Sequence, residues 1–414
     1  MQNKLYCTVM FPYPSGAGLH IGHWYNYSIV DSYCKIFRYL GYEIYQPFGY
    51  DSFGLPAENY ARLVGGDPKT ITETNIEKFS CEMRRMNTSF EYRLSTHLIE
   101  YQKRTQWLFS KLMEHGLAYK AFREQDYCPS CATVLAKEQV KDKTSGLVCD
   151  RCDTVTYKVN LNQWFFKITD YKQRLINDLD KVDYPEKTKK QQLQWLENLT
   201  DWCVSRQRKW GCPIPIDGET DTLDTFVDSS FYTIEYDKTR PVDVYVGGNE
   251  HACMHLIYAR FICKFLFDIG YVDFDEPFKK VIHQGMILGP DGFKMSKSRG
   301  NVVDIENQDP QILRMSLMFI NHYFDGGKWN DGSYNGCLKF RNKVYVWCDR
   351  YIEDSYSDIS TVWFNFKNRV IQYFKEWKVN KVVSEWMIFY NTYKNDSLSP
   401  HQAAEIKDFF NTCF

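Results

Sequence analysis

No run of apolar residues in this chain approaches the roughly 18 that a membrane-spanning helix needs, so we read no membrane partner. Neither sign of charge dominates. The 51 Lys and Arg residues meet 52 Asp and Glu, a net of −1, which excludes a global field that would draw nucleic acid to the protein. A polyanion must then be held by local patches, such as Lys187 to Lys190 or Arg206 to Lys209. No internal repeat and no low-complexity linker is present, which excludes solenoid architectures. No basic, apolar or Arg-rich leader precedes the first apolar run at Leu5, and the expected location is the cytoplasm. The 14 cysteines make no disulfide framework, since all but four lack framework spacing, and reduced thiols are expected. What remains is a chain of 414 residues, 44% hydrophobic and 17% aromatic, long enough for two or three globular domains.

Two short segments carry the chemistry. The first, His20-Ile-Gly-His23, follows an apolar run from Leu5 to Met10 and the turn Phe11-Pro-Tyr-Pro-Ser-Gly16, a pattern that predicts a strand feeding through a tight turn into a helix. The free N–H groups at such a helix start attract phosphate. His20 and His23 share one face of its first turn, and Gly22 leaves room for a flat ring. The second segment, Lys294-Met-Ser-Lys-Ser298, sits among Gly289, Pro290, Gly292 and Gly300 and reads as a loop that delivers point charges. Alone, the histidine pair fits an amphipathic face or a metal pair equally well, and the lysine loop fits solvated surface. A third signal is stronger. Cys128-Pro-Ser-Cys131 and Cys149-Asp-Arg-Cys152 have the spacing of paired zinc knuckles, and four thiolates would close a structural site with no open position.

The joint occurrence and order of the first two segments resemble the class I aminoacyl-tRNA synthetases. Longer strings narrow the resemblance to leucyl-tRNA synthetases: Met10-Phe-Pro-Tyr-Pro-Ser-Gly-Ala-Gly-Leu-His-Ile-Gly-His23, Gly49-Tyr-Asp-Ser-Phe-Gly-Leu-Pro-Ala-Glu58, Asp201-Trp-Cys-Val-Ser-Arg-Gln-Arg-Lys-Trp-Gly211, Thr222-Leu-Asp-Thr-Phe-Val-Asp-Ser-Ser-Phe-Tyr232 and Gly247-Gly-Asn-Glu-His-Ala-Cys-Met-His255. The resemblance runs from about residue 5 to about residue 340 and implies an α/β fold: a Rossmann-like core of parallel sheet with helices on both faces, a small zinc module and a C-terminal α-helical domain. We expect the first half of the core at 1–118, a connective region with the zinc module at 119–200, the second half at 201–290, the lysine loop and stem-contact region at 291–335, and a shortened helical tail at 336–414. Where relatives insert an editing domain this chain has only Leu196 to Asp201, and the segment Gly289-Pro-Asp-Gly292 leaves no room for a leucine-specific insertion.

The resemblance also implies roles. ATP would lie along His20, Gly22, His23, Gly247, Gly248, Glu250, Gln284, Met286, Lys294 and Lys297, with His20, His23, Lys294 and Lys297 acting as cations on its phosphates beside Mg2+. Leucine would be held by Phe11, Tyr13, Asp51, Ser229, Tyr232, Tyr245, His251 and His255, with Asp51 on the ammonium unless it caps the helix ahead of Gly54. Tyr50 and Phe231 stand where the family usually has Trp. Zn2+ would be held by Cys128, Cys131, Cys149 and Cys152, and Arg206 and Arg208 would meet the tRNA acceptor end or form salt bridges in the core. The expected activity is activation of leucine with ATP and transfer to tRNA(Leu) by a monomer without post-transfer editing. Two alternatives stay open: a leucine-activating enzyme with a non-tRNA acceptor, and a catalytically idle paralogue that binds leucine, ATP or tRNA.

Overall fold

The computed structural model describes residues 3–14, 18–135, 139–295, 299–353 and 359–414. Its centre is a four-stranded, all-parallel sheet. The strands in chain order are β1 (Lys4–Val9) and β2 (Glu43–Tyr45), which flank helix α1 (Ile21–Tyr39), then β3 (Val244–Gly248) and β4 (Val281–Gln284), and their spatial order is β4-β3-β1-β2. In register, Val9 stands beside Val246, and Gly247 and Gly248 beside His283 and Gln284. The sheet alternates with period two, as a strand covered on both faces must. Leu5, Cys7, Val9, Val244 and Val246 turn to one core, whereas Tyr6, Tyr245 and Val281 turn to the other. Helix α3 (Met254–Asp268) and the helix Ile99–Glu114 cover the second face. Because chain runs from the inner strands β1 and β3 to opposite edges, their carboxyl ends open a crevice between them.

A second parallel pair, Pro47–Tyr50 with Glu91–Ser95, extends the first half. Glu91–Ser95 alternates polar and apolar residues, with only Leu94 and Ser95 turned inward. Between the halves, the long antiparallel ribbon Ala118–Cys128 and Tyr157–Phe166 carries the cysteine module at its tip. At its base, Trp202 and Cys203 pair with Phe166 and Phe165, so the chain re-enters the core directly after Asp201, and Trp202 stacks on Tyr258 with centroids 3.8 Å apart.

The tail forms four helices, Asp331–Cys348, Ser360–Lys375, Val379–Tyr393 and Pro400–Cys413, so the boundary expected at 336 falls inside the first of them. These helices share one hydrophobic core with α1. Trp377, 2% exposed, stacks on Tyr33 of α1 at 4.6 Å and on Tyr323 at 5.2 Å. Between the sheet and the tail, 14 of the 19 residues of α1 are buried, and each apolar side chain so covered stabilises the helix by about 1.5–3 kcal/mol. The tail therefore braces the helix whose start faces the crevice. No helix among the described residues is long and apolar enough to cross a membrane.

Candidate functional site

The start of α1 is built by its own histidines. His20 is the N-cap, with extended backbone at φ −107 and ψ 173, and its Nδ1 accepts from the Gly22 N–H at 3.0 Å. His23 reciprocates, its Nδ1 accepting from the His20 N–H at 3.1 Å, so that the two rings form a capping box. A Cβ at position 22 would come within 2.9 Å of His20 Cε1, so the ring that Gly22 admits in this structure is that of His20. With both Nδ1 atoms accepting, each ring carries its proton on Nε2. Loss of solvent lowers both pKa values, His23 well below its usual value, and the Lys294 charge lowers His20 further. The lowered values favour neutral Nε2–H donors over the cationic histidines expected from the sequence. Positive charge comes from the helix start itself, whose first turn holds no acidic residue.

That effect on His20 places the exposed Lys294 beside the helix start, although the two are far apart in sequence. The loop carrying Lys294 is tied at its base. Asp291 accepts from Arg299 Nε at 2.9 Å, Asn301 Nδ2 at 2.9 Å and the Phe293 N–H at 3.1 Å, bonds that hold its carboxyl down at about 2. Lys297 lies outside the described residues. Across the crevice, a Cβ on Gly248 would meet the Glu250 carboxylate at 2.2 Å, so glycine is what lets Glu250 fold back over the end of β3. Gln284 ends β4, and Met286 follows, 55% exposed. His283 Nδ1 lies 2.9 Å from the Gly247 carbonyl and ties the ends of β3 and β4 together.

Deeper in the crevice the pocket residues converge. Met10, Phe11, Tyr13, Asp51, Ser229, Tyr232, His251 and His255 surround a space of about 10 Å³, room for about one water molecule. It is filled by its own walls. Phe11 stacks on Tyr232 with centroids 3.5 Å apart, and Tyr232 meets the Tyr245 hydroxyl, which lies 2.8 Å from His255 Nε2. His251 sits in a single 3-10 turn before α3, with its ring 5.8 Å from that of His255, and burial lowers both pKa values. Asp51 follows the strand Pro47–Tyr50, is 1% exposed and accepts from Thr225 Oγ1 at 2.8 Å. Burial raises its pKa to about 7. It caps no helix, because the N-cap of Leu55–Val64 is Gly54 without a side-chain bond. Met10 and Thr225 were not singled out from the sequence; their adjacency to the motif residues is the signal that could have found them.

The two arginines part company. Arg206 is 5% exposed and donates to Asp224 at 2.5 Å and to the carbonyls of Cys203 and Ser205, so three of its five N–H groups are committed to the core salt bridge and its surroundings, although it also reaches the wall of the cavity that Arg208 lines. Arg208 stays poorly compensated. Its nearest acid, Glu58, is 3.8 Å away, its Nη1 has no hydrogen-bond partner among the described residues, and burial lowers its pKa to about 10. It lines a cavity of about 300 Å³ between the cysteine module, which contributes Gln139, Asp150 and Arg151, and the core, which contributes Phe53, Trp210 and Glu250.

At the ribbon's tip the sulfur atoms of Cys128, Cys131, Cys149 and Cys152 all lie within 4.8 Å of one another, with Cys152 Sγ 3.4 Å from Cys128 Sγ and 3.6 Å from Cys131 Sγ. Zn–S bonds of about 2.3 Å in a tetrahedron place sulfurs at about this separation, so the four fit a zinc ion. Each knuckle turns through a left-handed residue directly after its second cysteine, Ala132 at φ 51 and Asp153 at φ 55, and the Cys131 N–H points at Cys128 Sγ at 3.3 Å.

Comparison with known proteins follows the same lines. The family model described as tRNA synthetases class I (M) matches residues 5–335. The Leucine--tRNA ligase of Caldanaerobacter subterraneus subsp. tengcongensis is 31% identical over 615 aligned positions, which take in 85% of this chain and 75% of the relative. That of Clostridium kluyveri is 31% identical over 82% of this chain and 73% of its own length. Among solved structures, the Agrobacterium radiobacter K84 agnB2 LeuRS in its ternary complex with tRNA and LeuAMS superposes with a TM-score of 0.89 over 99% of this chain and 83% of that one, at 23% identity. Methionyl-tRNA synthetase of Mycobacterium tuberculosis in complex with methionyl-adenylate reaches 0.78 over 100% and 89%, at 17% identity.

Proposed function

Since this chain belongs to the class I tRNA synthetases, and within them to the leucine--tRNA ligases, we propose that it activates leucine with ATP and passes the leucyl group to the terminal ribose of tRNA(Leu). The observation that carries the reading is that the turn after β1, whose Phe11 and Tyr13 line the pocket of the buried Asp51, leads into the His20/His23 capping box, with Lys294 near enough for its charge to lower the His20 pKa. An amino acid whose ammonium rests on Asp51 would need its carboxylate turned toward the helix start, where the α-phosphorus of ATP is proposed to lie. No protein nucleophile is needed. The leucine carboxylate attacks, pyrophosphate leaves, and the Nε2–H donors, the helix start and Lys294 stabilise charge on the phosphoryl oxygens. Mg2+ bound with ATP would neutralise the phosphates, and Lys297 is proposed to act with Lys294. Glu250, Gly247 and Gly248 suit the ribose, and the backbone from Gln284 to Met286 suits adenine. Zinc on the four cysteines would fix the ribbon's tip beside the entrance.

The roughly 300 Å³ cavity lined by Thr225, the hydrogen-bond partner of Asp51, with Arg208 and Arg151 on its wall and Trp210 and Phe53 as stacking surfaces, supports a tRNA 3′ end over an uncharged acceptor. Absence of post-transfer editing is supported by the short passage into Trp202, and by an alignment of 615 positions to a chain of 414, which must bridge a long stretch of the relative. The test is charging. Radiolabelled leucine should become acid-precipitable on tRNA(Leu) ending in CCA, and Arg208→Ala should lower that transfer while leaving adenylate formation intact. Adenylate formation without any transfer would favour a different acceptor.

A further inference from the structure

The partners of Asp51 extend well beyond the residues that would touch substrate. The short helix α2 (Thr225–Ser229) starts beside it, and Thr225 Oγ1 donates to Asp51 Oδ1 at 2.8 Å. The start of α2 is itself held. Asp224 is its N-cap, with Oδ1 accepting from the Phe226 N–H at 3.3 Å, while Oδ2 accepts from Arg206 Nη2 at 2.5 Å and from Trp202 Nε1 at 3.3 Å. Arg206 is locked in turn by the Cys203 and Ser205 carbonyls, at 2.9 and 2.8 Å. A rigid line thus runs from the re-entry strand through Arg206 and Asp224 to the Thr225 hydroxyl on Asp51. Thr225 lines the larger cavity and Asp51 the smaller one, so the hydroxyl stands where the two meet.

We propose that Thr225, set by the Arg206–Asp224 pair, is a positioning residue for binding of the substrate's ammonium: it fixes the rotamer of Asp51 and favours its ionised form. The inference rests on the reading of Asp51 given above. A buried carboxylate with two rotatable bonds and no cation beside it would otherwise turn among its neighbours. The groups facing Asp51 from the surrounding elements are Asp224 and Asp228 on and before α2, Tyr13 from the turn after β1, Tyr101 from the helix Ile99–Glu114, and Tyr232. None of these favours the ionised form, because acids and phenols repel or ignore it. The hydroxyls of Thr225, Ser229 and Thr96 do favour it, that of Thr225 most, as a hydrogen bond to a charged form does generally.

The experiment is leucine-dependent pyrophosphate exchange by the full chain carrying Thr225→Val, with Thr225→Ser as the rescue. Loss of one hydrogen bond to a charge should raise the leucine KM about 10-fold with kcat changed much less. It should also move the acid limb of the kcat/KM profile to higher pH and leave the ATP KM alone. Serine should restore all of this, which a purely structural role for the side chain would not produce. If the valine variant fails to fold, Thr225→Ala removes the hydroxyl without the second methyl branch and gives the same readout. A valine or alanine variant with unchanged leucine KM and pH profile overturns the positioning role. Absence of leucine-dependent exchange in the unsubstituted protein overturns the functional reading beneath it, and the two failures are told apart by that control.

Discussion

Asp51→Asn separates activity from stability in a way that few substitutions do. The side chain is 1% exposed, with burial holding its carboxyl at about 7 against an ordinary 3.8. At about 1.36 kcal/mol per pH unit, that difference means ionisation in the empty site is disfavoured by roughly 4 kcal/mol. The direction in pH follows from linkage. Between about 4 and 7 the folded state holds a proton that the unfolded state has already lost, so stability falls as pH rises through this window and the full penalty applies above it. Asparagine keeps the shape and can still accept from Thr225, but carries no charge, so the variant should melt at an equal or higher temperature than the parent at pH 8 and gain nothing at pH 4. Activity should move the other way. Leaving a buried ammonium without its counter-charge costs about 3–5 kcal/mol, which corresponds to a loss of roughly 10²–10⁴-fold in kcat/KM for leucine. The ATP KM should hold. Melting by circular dichroism at the two pH values, with exchange kinetics across leucine concentration, reads both effects. A variant that is destabilised at pH 8, or whose leucine KM is unchanged, would refute the reasoning.

His20→Asn keeps a side chain that accepts from the helix N–H groups and should change the melting temperature little, yet it removes an Nε2–H donor and should slow exchange by about 10²-fold; equal losses of stability and activity would mean that the ring serves only as a cap. Metal analysis of the purified chain should find about one zinc, lost in Cys149→Ser, and a fully folded protein free of metal would refute the assignment of the knuckles. Trp377→Ala should destabilise the whole molecule by about 3–5 kcal/mol in a single unfolding transition, because the ring joins the tail to α1; separate transitions would show that the tail folds independently.

The motif strings made the crevice legible early. His20, Asp51, Glu250 and Gln284 each follow an apolar, strand-like run, and open parallel sheets bring such positions to one edge. The cysteine pairs were equally legible, because their ligand chemistry is local. What sequence reading could not reach were partnerships between distant residues. Arg206 in a basic string suits phosphate until its burial against Asp224 is known, and nothing in Thr225 announces Asp51 as its acceptor. The histidines were expected to be cations because their mutual capping depends on backbone angles at His20. The tail reads as a separate domain in the sequence because its packing on α1 is visible only in three dimensions.

The most direct test of the account is ATP–pyrophosphate exchange with each of the twenty amino acids in turn, using the unsubstituted chain. Exchange should depend on leucine, with isoleucine, valine and methionine weaker by at least about tenfold, the discrimination a hydrophobic pocket supplies for a single methylene. Exchange that methionine drives best, or no exchange with any amino acid, would contradict the account.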